Sequence, residues 1–73
     1  MPLIYSGQCA VDPYSFDTNY EAHDGMTRVV VVVSKEVIDD YGLSAAHAKG
    51  SEKYDRGKRE GPNRVSVRTT DFR

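Results

Sequence analysis

The stretch YSFDTNYEAHDGMTRVVVVV, residues 14–33, decides how this chain folds. From Tyr14 to Ala22 the pattern alternates. Tyr14, Phe16, Thr18, Tyr20 and Ala22 fall on one face, with Ser15, Asp17, Asn19 and Glu21 on the other. A period of two with aromatic and β-branched residues on one face predicts a half-buried strand over 14–22. His23-Asp24-Gly25-Met26 supplies an Asp-Gly turn, the strongest short hairpin signal. Thr27 to Val33 is then the partner strand of a β-hairpin, 14–22/27–33. Its five consecutive valines have no polar face, which predicts a central strand covered on both sides. Their stiff β-branched side chains disfavour a helix there.

Downstream of the valines, Ser34 is a good N-cap, and Glu36 and Asp39 lie near the positive end of the helix that follows. Val37, Ile38 and Tyr41 form one apolar face, and Gly42 is suited to the C′ position, with Leu43 folding back. These signals predict a helix over about 34–41. Ser44 can cap a second helix, about 45–57, which Gly50 weakens and Gly57 ends. Glu60-Gly61-Pro62-Asn63 reads as a turn. Arg64 to Thr70 alternates again and predicts a C-terminal strand, 64–70. Upstream of the hairpin, residues 2–5 predict a short N-terminal strand, and Ser6 to Pro13 reads as loop. The expectation is a single α+β domain over 1–73, a small antiparallel sheet with one or two short helices on one face.

At 73 residues a chain has a small core and modest net stability. Cys9 is the only cysteine, so no internal disulfide supplements that core, and oligomerisation is a natural source of support. The longest apolar run, Val29 to Val33, is far too short to cross a bilayer. A lone cysteine and an N-terminus without an export pattern point to the cytoplasm and to no membrane role. Charge is unevenly spread. Residues 1–48 carry a net −5 and residues 49–73 a net +4, within an overall −1.

No residue set declares a reaction. Cys9, His23, Asp24 and His47 match no zinc spacing. Cys9 has no base placed beside it. Asp39 and Asp40 are neighbours on a helix and point apart, whereas acid–base work needs carboxylates facing one site. No phosphate-binding glycine loop is present. Catalytic, metal and cofactor residues are therefore not expected. The basic segment 49–68 offers another chemistry. Lys53, Arg56, Lys58, Arg59, Arg64 and Arg68 could hold a nucleic-acid backbone while Tyr54 stacks a base. More often such charges form a solvated face, or pair with the acidic half of the same molecule or of a neighbour.

Two resemblances attach to particular residues. The start Met1-Pro2-Leu3-Ile4 resembles small tautomerases, whose N-terminal proline amine acts as a base. That likeness implies an enzyme using Pro2, although those enzymes continue from the first strand into a long helix. Phe16 to Gly25, Ser34 to Asp40, Lys53 to Lys58 and the closing Asp71-Phe72 resemble a family of short uncharacterised bacterial proteins, the domain-of-unknown-function family fourteen eighty-eight. That likeness spans about residues 14–73. It implies an α+β fold and a bacterial source, with no activity and no functional residues to carry over.

The leading expectation is a small non-catalytic binding or accessory protein. It would act through protein–protein contacts, by self-association through a sheet edge or by taking up a partner's strand. The alternatives are nucleic-acid binding through segment 49–68 and, more remotely, tautomerase-like chemistry at Pro2.

Overall fold

A computed structural model describes residues 3–72. The element order is β1 (Ile4–Val11), β2 (Thr18–Asp24), β3 (Thr27–Val33), α1 (Lys35–Tyr41), α2 (Leu43–Asp55) and β4 (Arg64–Val67), closed by a 3-10 turn at Thr69–Phe72. The four strands form one sheet in the order β1-β2-β3-β4. The α+β class and the helical layer agree with the sequence reading.

The valines make the centre. Val29, Val31 and Val33 on β3 are fully buried and join Val65 and Val67 of β4, Val37 of α1 and Ala46 and Tyr54 of α2 in one core. A fully buried Val contributes roughly 1.5–3 kcal/mol, so this valine column dominates the favourable side of folding. Val30 and Val32 point the other way. Their register partners there are Glu21 and Asn19 of β2 and Arg64 and Ser66 of β4. The expectation of cover on both sides therefore needs correction. The helices cover one face, and polar neighbours screen the other well enough to leave Val32 buried and Val30 half-buried.

The sheet is mixed, where a wholly antiparallel one was expected. β1 with β2 and β2 with β3 are antiparallel, but β4 lies parallel to β3, pairing Val31 with Val65 and Val33 with Val67. The chain leaves the top of β3, crosses through both helices and re-enters alongside at the bottom, as a parallel pair requires. Ser34 caps α1 as read, its Oγ accepting from the Val37 N–H at 3.4 Å. Gly42 (φ 88°) closes α1 and opens α2 directly. Leu43 is thus the first residue of α2, which the sequence had placed two residues later. Glycine takes that positive φ without the steric cost a side chain would add.

Three boundaries move further. β1 runs through Ser6 to Val11, which read as loop, and its register on β2 shifts between Tyr5 and Cys9. The strand expected from Tyr14 begins only at Thr18. Asp12 is the reason. Its carboxylate accepts from the Tyr14 N–H at 2.8 Å and the Ser15 N–H at 3.3 Å, and its carbonyl accepts from Phe16 N–H at 2.9 Å. An Asp before Pro winds the chain into an Asx turn of this kind. The C-terminal strand also stops early, at Val67, and Phe72 stacks on Tyr41 at 4.3 Å between ring centroids. Pro2, and with it the start of the expected strand 2–5, lies outside the described residues.

Candidate functional site

The sheet has two edges, and they are treated differently. On β4 three outward backbone groups are taken. Arg64 C=O accepts from Glu60 N–H at 2.9 Å, Ser66 C=O accepts from the Lys53 ammonium at 2.5 Å, and Arg68 N–H donates to Asp71 at 2.8 Å. Asp71 also pairs with Lys53 at 3.0 Å. Burial pushes the Asp71 carboxyl up, but the Arg68 N–H and the Lys53 ammonium outweigh it and hold it below the usual carboxylate range. The chain's own groups thus occupy much of the β4 edge.

Among the described residues β1 has no such cover. Seven of its eight residues are exposed, and none is charged. It is held from beneath by Tyr5, the one half-buried residue. The Tyr5 hydroxyl donates to the His47 carbonyl at 2.9 Å, and its ring stacks on the His47 imidazole at 3.9 Å. Tyr20 meets the same imidazole edge-on at 4.8 Å. Burial pushes the His47 pKa down, and among the described residues its Nε2 is a buried atom without a hydrogen-bond partner. Gly50 completes this joint. A Cβ there would lie 2.8 Å from Tyr5 Oη and 2.9 Å from Val31 Cγ1, so α2 approaches the sheet only because the residue is glycine.

Beyond β1 the chain enters the wound loop of residues 12–17. Asp12 N–H donates to Asp17 C=O at 2.8 Å and ties off its base. Tyr14 is 93% exposed, Phe16 60% and Val11, just before the loop, 59%. Phe16 sits at φ 62°. A bulky residue in that left-handed region is a genuine outlier, and such strain persists only where the surrounding structure over-determines it.

The uncovered sheet face carries a shallow cavity of about 330 Å³, lined by Gln8, Ala10, Asn19, Glu21, Arg28 and Val30 among others. Glu21 is engaged there by His23 Nε2 at 3.2 Å and Arg28 Nε at 3.5 Å. Cys9 lines it too, and among the described residues no base is hydrogen-bonded to its thiol. Among the described residues no three His, Cys, Asp or Glu side chains gather to hold a metal, and Cys9 is a free, exposed thiol.

Within the basic segment most of the side chains are engaged by the chain itself. Tyr54 is buried, and its hydroxyl donates to Asp24 at 2.9 Å. That bond, with burial, raises its pKa. Arg59 covers the Tyr54 ring, 3.8 Å from its centroid, so no base can stack there. Lys53 is tied to Asp71, Arg56 pairs with Glu52 at 3.3 Å and Arg64 with Glu60 at 3.8 Å. Lys58 and the Arg68 side chain lie at exposed positions. No described helix is long and apolar enough to cross a membrane.

The sequence reading missed the two parts that matter most here, the outer half of β1 and the exposed aromatic loop. Asp12-Pro13 was the available signal for the loop. Compared with protein-family models, with curated proteins and with solved structures, the chain matches none.

Proposed function

We propose that this chain is a small non-catalytic binding module of the cytoplasm, acting by protein–protein contact at the β1 edge and the adjoining aromatic loop. One observation carries the reading: the fold holds Phe16 at positive φ and outward, beside exposed Tyr14 and Val11. An unprotected, uncharged strand edge is a template for strand addition. Rigid aromatics next to it supply anchors of the kind that dominate interfaces. The kinship with short bacterial proteins is proposed on its motifs alone and adds no function.

Photo-crosslinking tests the reading. A benzophenone amino acid at position 14, expressed in the native host, should give protein adducts that disappear in Phe16→Gly. An absence of protein adducts, with the variant folded, refutes it. The basic-segment reading has no comparable support, since its aromatic is buried. Oligonucleotide binding at low salt that weakens steeply with added salt would revive it. Retention of Met1 in the native protein, read by mass spectrometry, would retire chemistry at Pro2.

A further inference from the structure

Among the described residues seven large apolar side chains are exposed, and five of them sit at the two ends of one edge. Ile4 (71% exposed) and the fully exposed Met26 of the β2–β3 turn lie at one end. Val11, Tyr14 and Phe16 lie at the other. An antiparallel pairing of β1 with a second β1 brings these unlike ends together, twice over.

The geometry of the strand selects one register. β1 pairs with β2 in two straight runs, Ile4 and Tyr5 before the irregularity and Cys9 to Val11 after it. Ile4-Tyr5 and Cys9-Ala10 are symmetric about Gly7, which has φ 88° and no atom within 4 Å of where a Cβ would stand. A two-fold axis at Gly7 therefore meets no side chain. It sets Ile4 opposite Ala10 of the second copy, and Tyr5 opposite Cys9. Residues opposite each other in an antiparallel pair must share a face. They do: through their partners on β2, Ile4 (His23) and Ala10 (Asn19) belong to the open face, Tyr5 (Ala22) and Cys9 (Tyr20) to the helical face. A bulge is also a recognised device for pinning register. With no charge on β1, self-pairing puts no like charges opposite each other.

We propose that the occupant of this edge is a second copy of the chain, joined about a two-fold axis at Gly7. The result is a continuous eight-stranded sheet with both sets of helices on one face. The end of each copy that carries Ile4 and Met26 is brought beside the loop end, with Tyr14 and Phe16, of the other. The proposal rests on the binding-module reading and names its partner.

Two experiments test it. Sedimentation equilibrium from micromolar to millimolar concentration should show a dimer of the 8.2 kDa chain. In Tyr14→Ser/Phe16→Gly the midpoint should move roughly tenfold or more to higher concentration. Cysteine trapping with copper phenanthroline reads the register. In a Cys9→Ser background, Ile4→Cys with Ala10→Cys should cross-link, and Ile4→Cys alone should not. The unmodified protein should not form a Cys9–Cys9 disulfide, because Cys9 faces Tyr5. A Cys9–Cys9 bond, or no trapping in the paired variant, overturns the register. A strict monomer at millimolar concentration overturns the dimer. If position 14 then still crosslinks to a different protein, the binding reading stands without the second copy. If it crosslinks to nothing, both fall.

Discussion

Gly50 sits in the middle of α2, where replacing glycine by alanine ordinarily stabilises a helix by about 1 kcal/mol. The opposite is expected here. The added methyl would stand 2.9 Å from Val31 Cγ1, in a fully buried part of β3, and 2.8 Å from Tyr5 Oη. A phenol at the end of a free side chain would swing away, but this one is held by the His47 carbonyl at 2.9 Å and by the stacked imidazole at 3.9 Å. Overpacking of this kind costs about 1–3 kcal/mol. Less the helix gain, the net loss in Gly50→Ala is roughly 0–2 kcal/mol. Thermal and urea unfolding measure it, with about 4–8 °C of Tm per kcal/mol for a domain of this size. Val31→Ala supplies the control. Alone it opens a cavity and destabilises; combined with Gly50→Ala it should lose less than the sum of the two by about 0.5–1.5 kcal/mol, because the clash and the cavity cancel. A Gly50→Ala protein more stable than the parent, or strictly additive losses, would refute the close approach of α2 to the sheet.

Phe16→Gly should raise stability by about 1 kcal/mol by relieving the positive φ, read as a higher urea midpoint, while abolishing adducts from position 14. Ser34→Ala should cost about 1 kcal/mol through loss of the α1 cap, again by urea unfolding. Lys53→Met should cost about 1–3 kcal/mol, since it leaves Asp71 and the Ser66 carbonyl without their cation. Stability against pH should show two limbs. The folded His47 pKa is depressed, so the unfolded chain takes up a proton first as pH falls through the ordinary value near 6.5. Stability present above that value is lost below it, and His47→Phe should flatten this limb. The Asp71 pKa is depressed too, so its contribution is present above the ordinary value of 3.8 and is lost as pH falls through the folded pKa. Asp71→Asn removes that second limb.

Sequence patterns revealed the parts of the fold that local chemistry decides. The valines of β3, the Ser34 cap and the Gly42 stop each act within a few residues, and each is where it was expected. The misreadings share a cause, which is that distant parts of the chain decided the outcome. Ser6 to Val11 has loop composition and becomes strand because β2 lies beside it. Gly50 looks like a weak point of a helix until Tyr5 and Val31 are brought against it. Tyr54 reads as a stacking platform from its basic neighbours, but α2 turns it inward to Asp24. Tyr14 and Phe16 fit a strand alternation that the local carboxylate of Asp12 overrides. The candidate site was legible only as the idea of a free edge. Which edge it was depended on how Lys53, Glu60 and Asp71 meet β4.

The parallel placement of β4 has a consequence for how the chain acquires its structure. The hairpin of β2 and β3 can form from neighbouring residues, but β4 reaches β3 only after the whole span from Ser34 to Asn63 has been laid across the sheet. Contacts of such separation are made late, since loop closure must precede them. Until then the valine strand has a bare flank, because the groups that later seal that side belong to α2, to the turn before β4 and to the C-terminal 3-10 turn. A nascent or partly refolded chain thus exposes two adhesive borders where the finished protein has one. Refolding yield should fall steeply with protein concentration, and Lys53→Met should lower it further, because the seal then closes weakly.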